Sequence, residues 1–365
     1  MAAYFVLVGV PAILTVLLSS LKYKREKIDE CVINSFFIIW LLLLVLRSET
    51  VGVDLPVYKY HFFNYSRLGW TEIIKGIFTG RYEAGYLVIC KVLSYISKNF
   101  HIVKALCAMV SIIPIWKLYR NEGRYGFLTI VTFINVSPFV MYFSGLRQAM
   151  AMAFVVPCYY FCKNNELKKF VLTVFVAFLF HKSALIMLCM YPVYHLQLKK
   201  TVHLLYLLPL ELFVYVYNVP IFRLLLTFME GKYYDRYVGS IGATGAYAVT
   251  LLLTVILIYT YFIPDKELLD KDTIGLRNVF TMSVFLQVFS AASTVAMRMN
   301  YYFLLLVPLL ISKIIRCGNK NYRDLIKLSI ICMVVFFTVY YFYGAYTDTD
   351  ILQVYPYVTF IKDTF

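Results

Sequence analysis

The chain has 365 residues, of which 61% are hydrophobic, 18% aromatic and 15% charged, with a formal net charge of +15. Soluble domains average about 45–50% apolar and about 25% charged residues, so this balance excludes a soluble enzyme and points to one all-α, polytopic membrane domain over residues 1–365. The cationic excess does not call for nucleic acid: lysines and arginines concentrate in short loops between apolar runs, as the positive-inside bias requires, and they would equally suit an anionic lipid or a lipid-linked phosphate.

Residues 2–21 are apolar, lack a basic start and precede Lys22, Lys24, Arg25 and Lys27. They read as a first span with its N-terminus outside rather than as a cleavable signal. Residues 31–46 return to the outside. No full-length span follows between 47 and 99. Residues 84–96 are apolar but interrupted by Lys91 and too short to cross about 30 Å of hydrocarbon. Residues 57–78 mix Tyr, Phe and Trp with Lys59, Arg67 and Lys75. Both stretches are expected as amphipathic helices at the membrane surface, inside a large outer loop over 47–99.

The next span runs from about 100 to 118, with His101 and Lys104 in its outer turns. Basic groups then alternate. Lys117, Arg120 and Arg124 fall inside and Arg147 outside; Lys163, Lys168 and Lys169 inside; His181 and Lys182 outside; Lys199 and Lys200 inside. A second outer loop covers 218–245. Lys266, Lys271 and Arg277 are inside, Arg298 is outside, Lys313, Arg316, Lys320, Arg323 and Lys327 are inside, and a tail over 344–365 ends outside. The pattern predicts about twelve spans with both termini outside. Two of them, 170–180 and 183–195, are short.

The eight cysteines lie mostly within apolar runs and form no Cys-x-x-Cys pair. Cys158 and Cys162 share a helix face at i,i+4, but no neighbouring His or carboxylate completes a metal set, so small packing residues are expected and no metal.

The predicted outer face collects Arg47, Asp54, Glu83, Arg147, His181 and Arg298. Arg147 stands in Ser144-Gly-Leu-Arg-Gln-Ala-Met-Ala151, the seam between two apolar runs, where a cation costs roughly 2.5–3.5 kcal/mol if left in hydrocarbon. It must meet an interface, a watery cavity or an anion. Arginines at span ends also snorkel to lipid phosphates. Three of them on the side without the positive-inside bias share a simpler explanation, since a guanidinium fork matches phosphate oxygens. His181 is either an interfacial polar residue or a base near neutral pH. Asp54 is either a helix cap before Pro56 or an acceptor for a substrate hydroxyl. Glu83 is either a first-turn carboxylate or a sugar-binding group. Tyr58, Tyr60, Trp70 and Tyr86 suit an aromatic belt and would also stack on sugar rings. Glu211, within the predicted span 202–217, is an intramembrane carboxylate and by default a functional candidate, ranked below the outer-face set because it has no assigned partner.

Taken in order, Arg47…Gly52-x-Asp54…Tyr58, Glu83-x-Gly85-Tyr86, Leu146-Arg147-Gln148-x-x-Ala151 and Phe180-His181-x-Ser183-Ala184 resemble the EpsG family. These are Wzy-like polymerases of bacterial O-antigen, capsule and exopolysaccharide. The resemblance covers roughly residues 47–185, with Arg298 and the Tyr355-Pro356-Tyr357 tail added. Leu55 departs from the aromatic residue more usual after the aspartate. The resemblance implies a metal-independent, cofactor-free glycosyltransferase with a GT-C-like fold in the bacterial cytoplasmic membrane, its active face outward. It implies transfer of a glycan from undecaprenyl diphosphate to a lipid-linked repeat unit. In that scheme Arg147, Arg298 and Arg47 would hold the diphosphate. His181 or Asp54 would orient or deprotonate the acceptor, and Glu83, Tyr86, Gln148 and Tyr58 would meet the glycan. A flippase and a chain-length regulator would be partners.

An O-antigen ligase would run the same chemistry on a different acceptor. A lipid-linked oligosaccharide flippase would instead show paired halves or charges near the midplane of several spans. A membrane acyltransferase would rest mainly on His181.

Overall fold

Apolar runs that satisfy their own backbone must be helical in a bilayer. In the computed structural model the described residues are helical, apart from loops and one isolated antiparallel bridge between Arg47 and Thr359. The structure describes residues 2–79, 83–136, 138–196, 200–227, 247–262, 270–317 and 353–363, with 332, 335, 336 and 339. Most of the predicted second outer loop, most of the stretch 318–352 and the basic groups Lys199, Lys266, Lys320, Arg323 and Lys327 lie outside the described residues; the first part of that loop, Asn218–Thr227, is helical instead.

Among the described residues, three helices are long and apolar enough to cross a membrane alone: Ala2–Ser20 (α1), Arg25–Leu46 (α2) and His101–Glu122 (α6). Two bent pairs, 203–224 and 296–315, bend by 84° and 42° and bring the number to five if each is one span. Among the described residues, whole helices do not reach the expected count of about twelve. Between residues 126 and 189 the apolar sequence is cut into shorter pieces: Gly126–Val136 (α7), Met141–Ser144 (α8), Leu146–Ala153 (α9), Val155–Lys163 (α10), Leu167–Phe178 (α11) and the 3₁₀ segment Lys182–Cys189. Breaks at membrane depth are tolerated where protein surrounds them. In α9 every residue but Arg147 is buried.

The stretch 47–99 folds as Leu55–Arg67 (α3), Trp70–Phe78 (α4) and Ala84–Ile96 (α5). Gly69 separates α3 from α4, and the Glu72 carboxylate accepts from the Gly69 amide at 2.8 Å, closing the start of α4. The helix α4 keeps Trp70, Ile74 and Phe78 exposed, as a surface helix should. α1 buries only Tyr4, Leu7 and Pro11, leaving the rest of an apolar helix for lipid.

α2 and α6 run antiparallel and define two ends. At one end Lys104 Nζ donates to the Arg47 carbonyl at 2.6 Å; at the other Arg120 pairs with Glu30 at 2.5 Å. Between them Phe36, Phe37, Trp40, Tyr119, Phe133, Phe139 and Tyr142 form an aromatic core, with Trp40 5.0 Å from both Phe133 and Tyr142. The groups predicted to be inner gather at the Glu30 end. Lys163 pairs with Glu122 at 3.0 Å, and Asp272 is held by Lys313 at 2.5 Å, Tyr194 at 2.5 Å and Tyr159 at 2.8 Å. Arg277 is a correction to the loop assignment. It lies buried two turns inside the helix Lys271–Val288, 4.3 Å over the Tyr261 ring, because an aromatic face accepts a guanidinium without water. Glu211 also gains a partner, the Thr254 hydroxyl at 2.7 Å.

At the Arg47 end the C-terminal segment lies across the loops. Ser48 N donates to Val358 O at 2.7 Å, Gly52 N to Gln353 O at 2.9 Å, and Tyr4 OH to Val354 O at 2.9 Å. Tyr357 OH donates to Leu43 O at 2.9 Å, and the Phe360 ring sits 4.1 Å from His101.

Candidate functional site

A second apolar cluster forms the floor of the site. Leu55, Tyr58, Phe62 and Tyr65 of α3, Tyr86, Leu87 and Cys90 of α5, Phe100, Val103 and Cys107 near and in α6, and Leu146 and Met150 of α9 pack together. Two glycines allow the close approach. Gly52 has φ +119°, and a Cβ there would stand 2.1 Å from the Phe143 carbonyl oxygen. A Cβ on Gly85 would meet the Phe180 ring at 2.9 Å, while the Gly85 amide donates to Leu179 O at 2.7 Å.

Four helices begin in this region, and their N-cap residues are Asp54, Glu83, Gly145 and His181. Helix starts carry unsatisfied amides and partial positive charge, which favours anions. Neither Asp54 nor Glu83 uses its carboxylate to cap its own helix. Asp54 accepts from the Ser144 hydroxyl at 3.0 Å, and the same Ser144 oxygen accepts from the Asp54 amide at 3.1 Å. Glu83 forms an ion pair with Arg147 Nη1. The Arg147 side chain stays 39% exposed against 12% for Glu83, so the cation remains open to a ligand while the carboxylate sits behind it.

Arg147 also contacts Tyr58. Its Nε donates to Tyr58 OH at 3.4 Å, and its guanidinium lies 5.4 Å over the Tyr58 ring. Burial pushes the Tyr58 phenol above its ordinary range and Arg147 opposes the rise, so it stays protonated at neutral pH. Tyr86 stands edge-on to Tyr58 at 5.4 Å, and both rings are buried. In this conformation these two residues form a wall behind Arg147 rather than an open stacking platform.

His181 stands at the junction between α11 and the 3₁₀ segment. Its Nδ1 accepts from the Ser183 amide at 3.3 Å and lies 2.6 Å from Ser183 Oγ, which lies 2.9 Å from Tyr302 OH. An Nδ1 that accepts from an amide leaves the ring proton on Nε2, and among the described residues Nε2 has no hydrogen-bond partner. Burial, together with Arg147 and Arg298, lowers the imidazole pKa to about 4. The ring is neutral at physiological pH. It is suited to donating through Nε2.

Arg147 and Arg298 thus both bear on His181. The Gln148 amide holds the backbone beside them, donating to the Arg298 carbonyl at 2.6 Å. Gln148 is therefore engaged inside the fold, and its buried Oε1 has no partner among the described residues. Arg47 does not join the other two arginines. It is completely buried, donating to Leu44 O, with its guanidinium 6.0 Å from the Phe143 ring.

The structure therefore brings together Asp54, Tyr58, Glu83, Tyr86, Arg147, Gln148, His181 and Arg298, and leaves Arg47 apart. Sequence reasoning missed Ser144, Ser183 and Tyr302. Ser144 and Ser183 lie inside the quoted motifs and had that much signal; Tyr302 sits in an ordinary aromatic run and had none. Among the described residues, no group of three or more His, Cys, Asp or Glu side chains comes together to hold a metal ion.

No curated protein and no solved structure matches the chain. A sequence model of the EpsG family matches residues 30–359, most of the chain, and its limits enclose every residue of the site. The match and the apolar helices together support a membrane protein of polysaccharide biosynthesis, and the chain belongs to the EpsG family.

Proposed function

We propose that this protein is a polysaccharide polymerase, a glycosyltransferase that moves a growing glycan from undecaprenyl diphosphate to a lipid-linked repeat unit on the outer face of the bacterial cytoplasmic membrane. The observation that carries this reading is a partly exposed Arg147 at a helix start, with Arg298 bearing on the same histidine. A diphosphate leaving group gains charge as the glycosidic bond breaks. Fixed guanidinium donors stabilise that charge more in the transition state than in the ground state.

In this reading Arg147 and Arg298 hold the diphosphate, and the His181 Nε2–H donates to one of its oxygens. Tyr58 orients Arg147 from behind. Gln148 supports Arg298 through its backbone, and Asp54 orders the loop around Ser144. Arg47 serves the fold beneath the C-terminal segment rather than the ligand.

The test is the product ladder of the purified protein in lipid, supplied with its undecaprenyl-diphosphate repeat unit, compared with Arg147→Lys. Longer products from the wild type alone support polymerisation through Arg147, since lysine keeps the charge but loses the fork. Movement of the repeat unit across the bilayer without elongation would instead establish a transporter. Transfer to a lipid-anchored core without elongation would establish a ligase.

A further inference from the structure

We propose that Glu83 is the internal counter-ion of Arg147 until substrate arrives, and that the diphosphate displaces it, freeing its carboxylate to take the proton of the acceptor hydroxyl. This inference rests on the polymerase reading and assigns Glu83 a step in it.

Three of the site groups described above could take that proton. His181 carries its own proton on Nε2 and turns its lone pair to Ser183. Asp54 already receives the Ser144 hydroxyl at 3.0 Å, and Ser144 binds the Asp54 amide in return, so moving that carboxylate breaks a closed pair. Among the described residues Glu83 is held by one hydrogen-bonding partner, Arg147, and that partner is the group an incoming diphosphate would engage. A diphosphate carries more negative charge and more acceptor oxygens than a carboxylate, so it takes the fork in competition. Glu83 begins α5 without capping it, so its side chain leaves Arg147 without uncapping the helix.

The step balances. The acceptor O–H bond breaks and its proton passes to the Glu83 carboxylate. The acceptor oxygen forms a bond to the anomeric carbon of the growing glycan. The bond from that carbon to the diphosphate oxygen breaks, and its electron pair leaves with the diphosphate, held by Arg147. Glu83 then returns its proton to solvent and pairs with Arg147 once the carrier leaves.

A purely structural ion pair and this exchange predict opposite signs for binding. The probe is undecaprenyl diphosphate without sugar, titrated into wild type, Glu83→Gln and Glu83→Asp proteins in lipid nanodiscs, with elongation of the repeat unit measured alongside. Glu83→Gln is expected to bind the carrier about tenfold tighter, because the competing carboxylate is gone. It is expected to elongate at least about a hundredfold more slowly, the usual contribution of a positioned base. Glu83→Asp keeps a carboxylate and is expected to bind like the wild type and to retain part of the turnover, which separates loss of charge from loss of fold. Equal or weaker carrier binding by Glu83→Gln, or elongation at the wild-type rate, overturns the inference. A wild type that does not bind undecaprenyl diphosphate overturns the polymerase reading itself.

Discussion

Ser144 and Asp54 hold each other from both sides, although 90 positions separate them in the chain. The Asp54 amide donates to Ser144 Oγ at 3.1 Å and the Ser144 hydroxyl donates back to Asp54 Oδ2 at 3.0 Å. The start of α3 is thereby fixed to the end of α8, one residue before the turn into α9 and Arg147. Ser144 is fully buried, so Ser144→Ala removes the acceptor of the Asp54 amide and a donor to the Asp54 carboxylate. The expected cost is about 1–3 kcal/mol. It should appear as a lowered thermal midpoint and faster proteolysis within residues 47–54. An unchanged midpoint with unchanged proteolysis would mean that the pair contributes nothing to holding the loop.

The His181 ring should titrate far below an ordinary histidine, with a midpoint near 4. Nitrogen NMR of labelled protein in lipid measures this directly, and the Nε2–H tautomer should be visible at pH 7. The sign for stability follows from linkage. An unfolded histidine takes up a proton near pH 6.5, whereas the folded one does so only near 4, so between these values the unfolded state holds more protons. Stability contributed by the neutral ring is present above pH 6.5 and falls as the pH drops through this window. Acidification from pH 7 to pH 5 should therefore cost the wild type about 2 kcal/mol more than His181→Gln. Parallel losses in the two proteins would show that His181 is not held neutral.

The parts of this fold legible in the sequence are those set by neighbouring residues. The apolar runs of α1, α2 and α6 and the mixed aromatic and basic surface helices of the 47–99 stretch depend on local composition, and the structure forms helices in each. The breaks are another matter. The apolar run before the Arg147 seam is continuous in composition, yet α7 stops at Val136 and the chain restarts as α8 at Met141, past Pro138, which has no amide to donate, and surrounding protein tolerates the break. Arg277 resembles a loop cation in sequence and is buried over Tyr261 in the structure. The site shows the same division. Arg147 was conspicuous because charge in an apolar seam is costly. Tyr302 was invisible, because its part is a hydrogen bond to Ser183 across 119 positions.

The C-terminal segment should be a strap that the opposite end of the chain requires. Tyr357 OH reaches Leu43 O at 2.9 Å, and the backbone of 353–359 supplies acceptors to Tyr4, Ser48 and Gly52. Tyr357→Phe removes one hydrogen bond and is expected to cost about 1 kcal/mol, a small downward shift in thermal midpoint. Truncation after 352 removes all of these acceptors and uncovers the Arg47 guanidinium. It is expected to lower the midpoint by much more than Tyr357→Phe and to make a cysteine placed at Ser48 reactive towards a water-soluble maleimide. Full protection of that cysteine in the truncated protein would show that the segment does not cover Arg47.

Gln148 offers a way to disturb Arg298 without touching a guanidinium. Its Nε2 donates to the Arg298 carbonyl at 2.6 Å, and its side chain is almost fully buried. Gln148→Met has nearly the same shape and length but no donor, so the Arg298 carbonyl loses its side-chain partner while packing is preserved. The direct cost to stability should be about 1–2 kcal/mol. The effect on the ligand should be more selective. Arg147, the neighbouring residue, keeps its contacts with Tyr58 and Glu83, while the backbone carrying Arg298 loses its side-chain restraint. Affinity for undecaprenyl diphosphate should fall about tenfold, and Arg298→Ala added to Gln148→Met should weaken binding less than it does in the wild-type background. Strictly additive losses in that cycle would show that Gln148 acts on the fold and not through Arg298.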